Sequence, residues 1–341
     1  MTVPIIEPVA RELLLSELTA ERLVRKTNKA DNDIYIFSAA ECPALMNEVG
    51  RLREESFREA GGGTGNEVDI DQADLAENGY LQLIVWDSAE QEIVGGYRFI
   101  ICQGRHPEHL STEHYFDFSD KFRSDYLPYT IELGRSFVQC KYQPRRNRKG
   151  IYALDNLWDG LGALIVFSPQ SRYFFGKITM YTTFNVEARN LILSFFRRYF
   201  PDDESLISAK KVIPTGVSDQ RYAEVFTGES YEENYKILMQ SVRELGETIP
   251  PLFNAYMSLS PTMKTFDTFL NTDFGEVEET GILITMDDIY PEKYERYTQW
   301  EQLRMGKDEL KQRWRERVQK LKNNWAIRLE KLRKAKNHTQ Q

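Results

Sequence analysis

Glu132 and Arg135 stand three residues apart in the run YTIELGRSFVQ, inside a segment whose apolar content predicts a strand over Thr130 to Gln139. A carboxylate can take a proton from an incoming nucleophile, and a guanidinium can hold a second carboxylate bidentately, so the pair suits acid–base work on a small charged substrate. Side chains at odd spacing point to opposite faces of an ideal strand. The two share a cleft only where a bulge interrupts the pleat, which Gly134 would permit; otherwise they are two outward charges on an ordinary strand. Upstream, Arg53 and Phe57 lie one helical turn apart in RLREESF, and Asp71 and Asp74 stand just before an apolar strand. Arg98 lies near the end of another strand, EIVGGYRFII. These two cations and two anions either form a buried polar network or act as salt bridges that tie the N-terminal part to a sheet.

The elements that must position these groups follow from periodicity. PVARELLLSELTAERLVRK reads as an amphipathic helix, followed by a short strand over Ile34 to Phe37. CPALMNEVGRLREESFREA reads as a second helix, with Leu45, Val49, Leu52 and Phe57 near one face, ending at Gly61-Gly62-Gly63-Thr64-Gly65. That cluster has no strand before it and no Lys-Ser/Thr after it, so it is expected to be a mobile helix exit rather than a phosphate loop. Strands are predicted over Tyr80 to Trp86, Ile93 to Ile100 and Tyr173 to Met180. A helix is expected near Leu157 with Asp155 as its N-cap, and VEARNLILSFFRRYF forms another that Pro201 closes. Without regular βαβ alternation, the pattern implies an α+β fold: a mixed, mainly antiparallel sheet flanked by helices.

At 341 residues, with 41% hydrophobic and 12% aromatic content, the chain can bury a substantial core. Cys42, Cys102 and Cys140 are widely separated and show no metal-ligand spacing, so a reducing cytoplasm and no bound metal are expected. His106, His109 and His114 sit in a segment of turn-like composition and are read as a surface loop. Asp273-Phe274-Gly275 lacks the companion motifs of a kinase. The group Phe174, Phe175, Phe195, Phe196, Tyr199 and Phe200 reads as core.

Charge is polarised along the chain. Residues 301–341 hold 13 Lys or Arg and 5 Asp or Glu, a net of +8, leaving 31 basic against 47 acidic residues, a net of −16, in the first 300. Leu310, Trp314, Val318, Leu321, Trp325, Leu329 and Leu332 recur at steps of three and four there, one apolar stripe on a basic helix. Such a helix either packs on protein or lies on an anionic lipid surface, where each basic residue contributes roughly 1 kcal/mol. The acidic remainder argues against nucleic acid.

The ordered series Arg53-xxx-Phe57, Asp71-xx-Asp74, strand-borne Arg98 and Glu132-xx-Arg135 resembles the autoinducer-synthase branch of the Gcn5-related N-acyltransferase fold. A longer likeness takes in Leu157-Trp158-Asp159-Gly160-Leu161, YFFGKITM and IPPLFNAY. It is to the hemolysin-like N-acyltransferases that make ornithine and glycine lipids, and it runs over roughly residues 40 to 290. Residues 1–300 are therefore expected to form the acyltransferase domain, with 1–60 its helical N-terminal part and 200–300 a family-specific extension. Residues 301–341 are set apart as the basic helix.

The resemblance implies amide formation between an acyl thioester and an amino-acid amine, with no cofactor beyond the thioester co-substrate. Glu132 would be the base, directly or through a water, and Arg135 would orient it or hold the acceptor carboxylate. Arg53, Phe57, Asp71, Asp74 and Arg98 would line the acyl and amine sites. The stretch QPRRNRKGIYALDNLW lacks the glycine pattern of a coenzyme A loop and carries Asp155 and Asp159 where a phosphate would be repelled. Arg145, Arg146, Arg148 and Lys149 instead form a cationic loop suited to an acidic acyl carrier protein, which is favoured as donor over coenzyme A. The expected reaction moves a long 3-hydroxyacyl chain to glycine, with ornithine next, at the cytoplasmic face of a membrane. The alternatives are an acyl-homoserine-lactone type synthase and a non-catalytic membrane-binding protein.

Overall fold

Central strands covered on both sides must be apolar along their whole length, and β3 (Leu81–Asp87) and β4 (Glu92–Ile101) are buried at nearly every position. The computed structural model describes residues 2–104, 110–143, 146, 148–214, 220–298 and 312. Within them an eight-stranded sheet runs in the order β1-β2-β3-β4-β6-β7-β10-β9. Its other members are β1 (Leu23–Lys26), β2 (Asp33–Ser38), β6 (Thr130–Val138), β7 (Tyr173–Tyr181), β9 (Lys264–Asn271) and β10 (Val277–Thr285). A second sheet pairs β5 (Phe116–Phe118) with β8 (Ile207–Ala209). Neighbours in the main sheet are antiparallel, except that β6 and β7 run parallel over Thr130–Glu132 and Tyr173–Phe175. The α+β class and the mainly antiparallel sheet agree with the sequence reading.

Several local expectations change. The first predicted helix shortens to α1 (Arg11–Glu17), and its C-terminal LVRK becomes β1, paired with β2. Residues 1–60 thus supply two sheet strands as well as α1 and α2 (Pro43–Ala60). The 200–300 region contributes to the main sheet, where β10 pairs with β7 along all nine of its residues. Asp155 does not cap α4 (Ala153–Phe167); Tyr152 holds that position without a side-chain bond, and Asp155 instead accepts from Arg296 and Tyr297 of α9 (Pro291–Thr298).

The helix exit after α2 is pinned rather than mobile. Gly61 ends the helix in the left-handed region at φ 99°. The N–H groups of Thr64 and Gly65 and the Thr64 hydroxyl then donate to the buried Glu54 carboxylate at 3.0, 2.7 and 2.8 Å. Residues 301–341 lie outside the described residues save Gln312, so the basic helix does too. Among the described residues no helix is long and apolar enough to cross a membrane.

The two faces of the main sheet differ. On one, α4 and α5 (Val186–Tyr199), with α7 (Tyr231–Glu244) and α8 (Pro251–Met257) behind them, close a single apolar cluster over Leu83, Val85, Tyr97, Phe99, Ile131 and Ile178. Phe174, Phe195, Phe196 and Phe200 fall in that cluster, with Tyr199 packed against it. On the other face lie two separate clusters. One packs α1 and α2 on Ile84, Trp86, Phe137 and Val277; the second gathers Tyr80, Ile100, Phe116, Phe175 and Leu283 under β5 and β8. Polar side chains cross the sheet between these two clusters.

Candidate active site

Alternation places Gln82 of β3, Arg98 of β4, Glu132 and Gly134 of β6, Lys177 of β7 and Glu279 of β10 on this second face. They form a polar band at right angles to the strands. The bulge expected near Gly134 is present. Gly96 pairs with Phe137 and Arg98 with Gly134, so Arg135 and Ser136 together oppose Tyr97. Arg135, not Gly134, adopts the left-handed backbone, with φ 52°. The extra residue turns the Arg135 side chain onto the same face as Glu132.

The two groups do not meet, however, which corrects the expectation that Arg135 orients Glu132. Glu132 is fully buried, and three hydroxyls donate to it: Tyr80 at 2.6 Å, Ser111 at 2.8 Å and Thr112 at 2.8 Å. Burial, and then the neighbouring Glu132 charge, push the Tyr80 phenol well above its ordinary pKa, so it stays a donor. Ser111 is half buried, while Tyr80 and Thr112 are buried. Arg135 instead contacts Asp69 at 2.9 Å and Asp71 at 3.7 Å, with its guanidinium 4.4 Å above the Phe274 ring.

The four charged residues upstream come together as a network. Arg53, projecting from the middle of α2 with no exposure, contacts Asp74 at 3.4 Å and donates to Gln82. Arg98 donates to both oxygens of Asp71 at 2.8 Å and to Asp74 at 3.1 Å. Asp71 and Asp74 also cap each other across α3 (Gln72–Leu75): each N–H donates to the other's carboxylate, at 3.2 and 3.1 Å. The caps thereby aim both carboxylates at Arg98. Burial opposes ionisation of Asp74, but Arg53 and Arg98 outweigh it and hold its pKa down to about 2. The network is largely buried, with Asp71 at its exposed edge, and through Arg53 it ties α2 to β3. Phe57 lies beside the band rather than in it, packed 4.9 Å edge-on against Phe274.

Sequence reasoning missed several members. Asp69, fully buried, has its pKa raised by burial against the pull of Arg135 and Arg53. Lys177 sits 2.7 Å from Glu279 and 4.2 Å over the Tyr115 ring, its pKa lowered by burial although Glu279 opposes this. A lone lysine whose parity matches Phe175 in the apolar strand YFFGKITMY was the available signal. Of the cationic loop, Arg146 is exposed and paired with Glu59 near the end of α2, 3.2 Å at one nitrogen. Arg145 and the side chains of Arg148 and Lys149 lie outside the described residues, as do His106 and His109. The pocket lined by Leu154, Trp158, Leu259 and Tyr297 is on the opposite face of the sheet, away from this chemistry.

Beyond Glu132 and Phe175 the parallel pairing of β6 and β7 ends, although both strands continue. Gly176 keeps them close at that point, since a Cβ there would stand 2.8 Å from the Leu133 carbonyl oxygen. The bulge at Arg135 then turns β6 away. The polar band therefore flanks a place where two strands part and where the bulge leaves backbone groups outside the ladder.

Comparison with known proteins agrees with this architecture. Residues 52–153, from the middle of α2 to the start of α4, match the acetyltransferase (GNAT) domain. Over 301 residues the chain is 50% identical to a glycine N(alpha)-acyltransferase of Bacteroides thetaiotaomicron, covering 86% of this chain and 89% of that one. Over 299 residues it is 48% identical to a glycine N(alpha)-acyltransferase of Phocaeicola vulgatus, covering 86% and 92%. No solved structure matches it. The chain belongs to the GNAT-fold glycine acyltransferase family, and it is an amino-acid N-acyltransferase. The non-catalytic alternative is thereby set aside.

Proposed function

We propose that this chain transfers a long 3-hydroxyacyl group from acyl carrier protein to the α-amine of glycine, with ornithine the next acceptor, giving a lyso-aminolipid. The observation that carries the reading is the buried Glu132 carboxylate, bonded to three hydroxyls three residues before the bulge at Arg135 on β6. An amine attacks a thioester only as the free base, so the ammonium proton needs an acceptor. Because Glu132 is sealed, the proton leaves through the half-buried Ser111 hydroxyl or a water beside it. The amine nitrogen then bonds to the thioester carbon, the oxyanion takes hydrogen bonds from backbone N–H groups at the bulge, and the C–S bond breaks to release the carrier thiol. No cofactor is needed. Arg98 and Arg135, at the outer end of the buried network, meet the acceptor; Arg53 and Asp74 hold Arg98 in place.

The choice of glycine is supported by the names of the two relatives. The choice of carrier protein rests on the cationic character of residues 145–149, tempered by the pairing of Arg146 with Glu59. Residues 301–341 would hold the enzyme on the anionic cytoplasmic face of a membrane. The test is mass spectrometry of amides formed from 3-hydroxyhexadecanoyl acyl carrier protein and a mixture of all amino acids, with the coenzyme A thioester in parallel. N-acylglycine from the carrier-protein reaction is expected. A different amide corrects the acceptor, product only from coenzyme A corrects the donor, and no amide from either defeats the proposal.

A further inference from the structure

Gly134 lies at the centre of the band with Arg98 directly across on β4. A Cβ built on Gly134 would meet only Arg98, its Nε at 3.5 Å and its Cγ at 3.7 Å; no other side chain or backbone across from it lies within 4 Å, which leaves a notch one methyl deep above the glycine. Arg98 is 2% exposed; its Nη1 makes the hydrogen bonds to Asp71 and Asp74 and its guanidinium lies 4.7 Å over the Tyr80 ring, while its Nε has no hydrogen-bond partner. A buried, cationic N–H therefore lies at the floor of this notch. Extending the β6–β7 register by two residues sets Lys177 level with Gly134 on the other side, and Arg135 follows at the bulge. Buried polar groups ordinarily have a partner, so the unmet Nε–H beside this space points to an acceptor atom there.

We infer that the notch above Gly134 is the subsite for the acceptor's carboxylate, held by Arg98 Nε–H and Lys177. This rests on the reading of the chain as an amino-acid acyltransferase that uses Glu132. Two observations select an amino acid over a simple anion. The first is charge: the cations Arg53, Arg98, Arg135 and Lys177 face the carboxylates of Asp69, Asp71, Asp74, Glu132 and Glu279. A zwitterion leaves that balance unchanged, while a lone anion adds to the carboxylate excess. The second is distance. Gly134 and Glu132 are two residues apart on one face, about 7 Å by strand rise. An amino acid whose carboxylate fills the notch spans about half of that, which leaves one hydrogen-bond length, about 3 Å, between its amine and the hydroxyls around Glu132.

Gly134 is not among the residues with positive φ, and its would-be Cβ makes only ordinary contacts, so Gly134→Ala fits the fold while filling the notch. Steady-state kinetics of Gly134→Ala should show KM for glycine raised about tenfold or more, with KM for the acyl donor unchanged, as expected for losing a charge-assisted hydrogen bond. Lys177→Met should lower the preference for glycine over glycinamide by a similar factor; if that variant does not fold, Gly134→Ala decides alone. A glycine KM within about twofold of the unmodified enzyme in Gly134→Ala overturns the subsite. If the unmodified enzyme acylates no amino acid at all, the fault lies in the proposed reaction, and the subsite falls with it.

Discussion

Asp74 and Asp159 are both fully buried carboxylates, held on opposite faces of one sheet, and their acidities move in opposite directions. Asp74, in the polar band, is held down to about 2. Asp159, on α4 under the apolar cluster, is raised by burial to about 6 even though Arg25 draws it the other way. The difference lies in the partners. Asp74 touches two guanidinium groups, with Arg98 at 3.1 Å, and accepts from Gln82 at 2.8 Å. Asp159 has Arg25 only at 4.0 Å and relies on the backbone and amide N–H of Asn28 at 2.7 and 2.6 Å. Burial disfavours charge in both places, and at Asp74 the two guanidinium groups reverse the sign. Asp74 is thus held charged by its two cations, whereas Asp159, like Asp69 within the band itself, holds charge reluctantly.

The largest test of that contrast is removal of one arginine from each face. Arg98→Met leaves Asp71 and Asp74 without their main partner and should cost about 3–5 kcal/mol of unfolding free energy by urea titration. Arg25→Met should cost less, because Asp159 can take up a proton. Equal losses would erase the distinction. Next is pH. Since the folded pKa of Asp74 is depressed, its contribution is present above its ordinary pKa of 3.8 and lost as pH falls toward about 2. Since that of Asp159 is raised, its contribution has the other sign: stability is gained as pH falls from about 6 toward 3.8. Each amounts to about 2–3 kcal/mol. Asp159→Asn should flatten the first part of an acid titration of stability and Asp74→Asn the last; the reverse assignment would contradict the account. The smallest stability effect is at the exposed Arg146–Glu59 pair, where Arg146→Ala should change stability by less than about 1 kcal/mol. If carrier protein is the donor, the same variant raises the donor KM, more at low salt than at high.

The central strands, α2 and the bulge were legible because their signals are local: apolar runs, i,i+4 spacing, and a carboxylate and guanidinium at odd separation around a glycine. The strand β1 was not, since AERLVRK also fits a helical stripe, and only pairing with β2 decides between them. Arg53, Asp71, Asp74 and Arg98 could be recognised as a set, but not that Asp71 and Asp74 double as helix caps. Asp69 and Glu279 stayed hidden because nothing separates them from neighbouring carboxylates such as Asp71 and Glu278, and Lys177 because nothing ties it to a partner. Their role exists only where β6, β7 and β10 lie side by side. Ser111 and Thr112 carry no signal at all until the chain brings them over Glu132.

The most direct test of the account is the pH profile of kcat/KM for glycine in Glu132→Gln beside the unmodified enzyme, with circular dichroism to confirm that the variant is folded. If Glu132 receives the ammonium proton, the variant should be slower by about 100-fold or more at neutral pH and recover as the pH approaches the amine's own pKa. A folded variant with unchanged turnover at neutral pH would contradict it, leaving Glu132 as an anchor for the Ser111–Thr112 segment and nothing more.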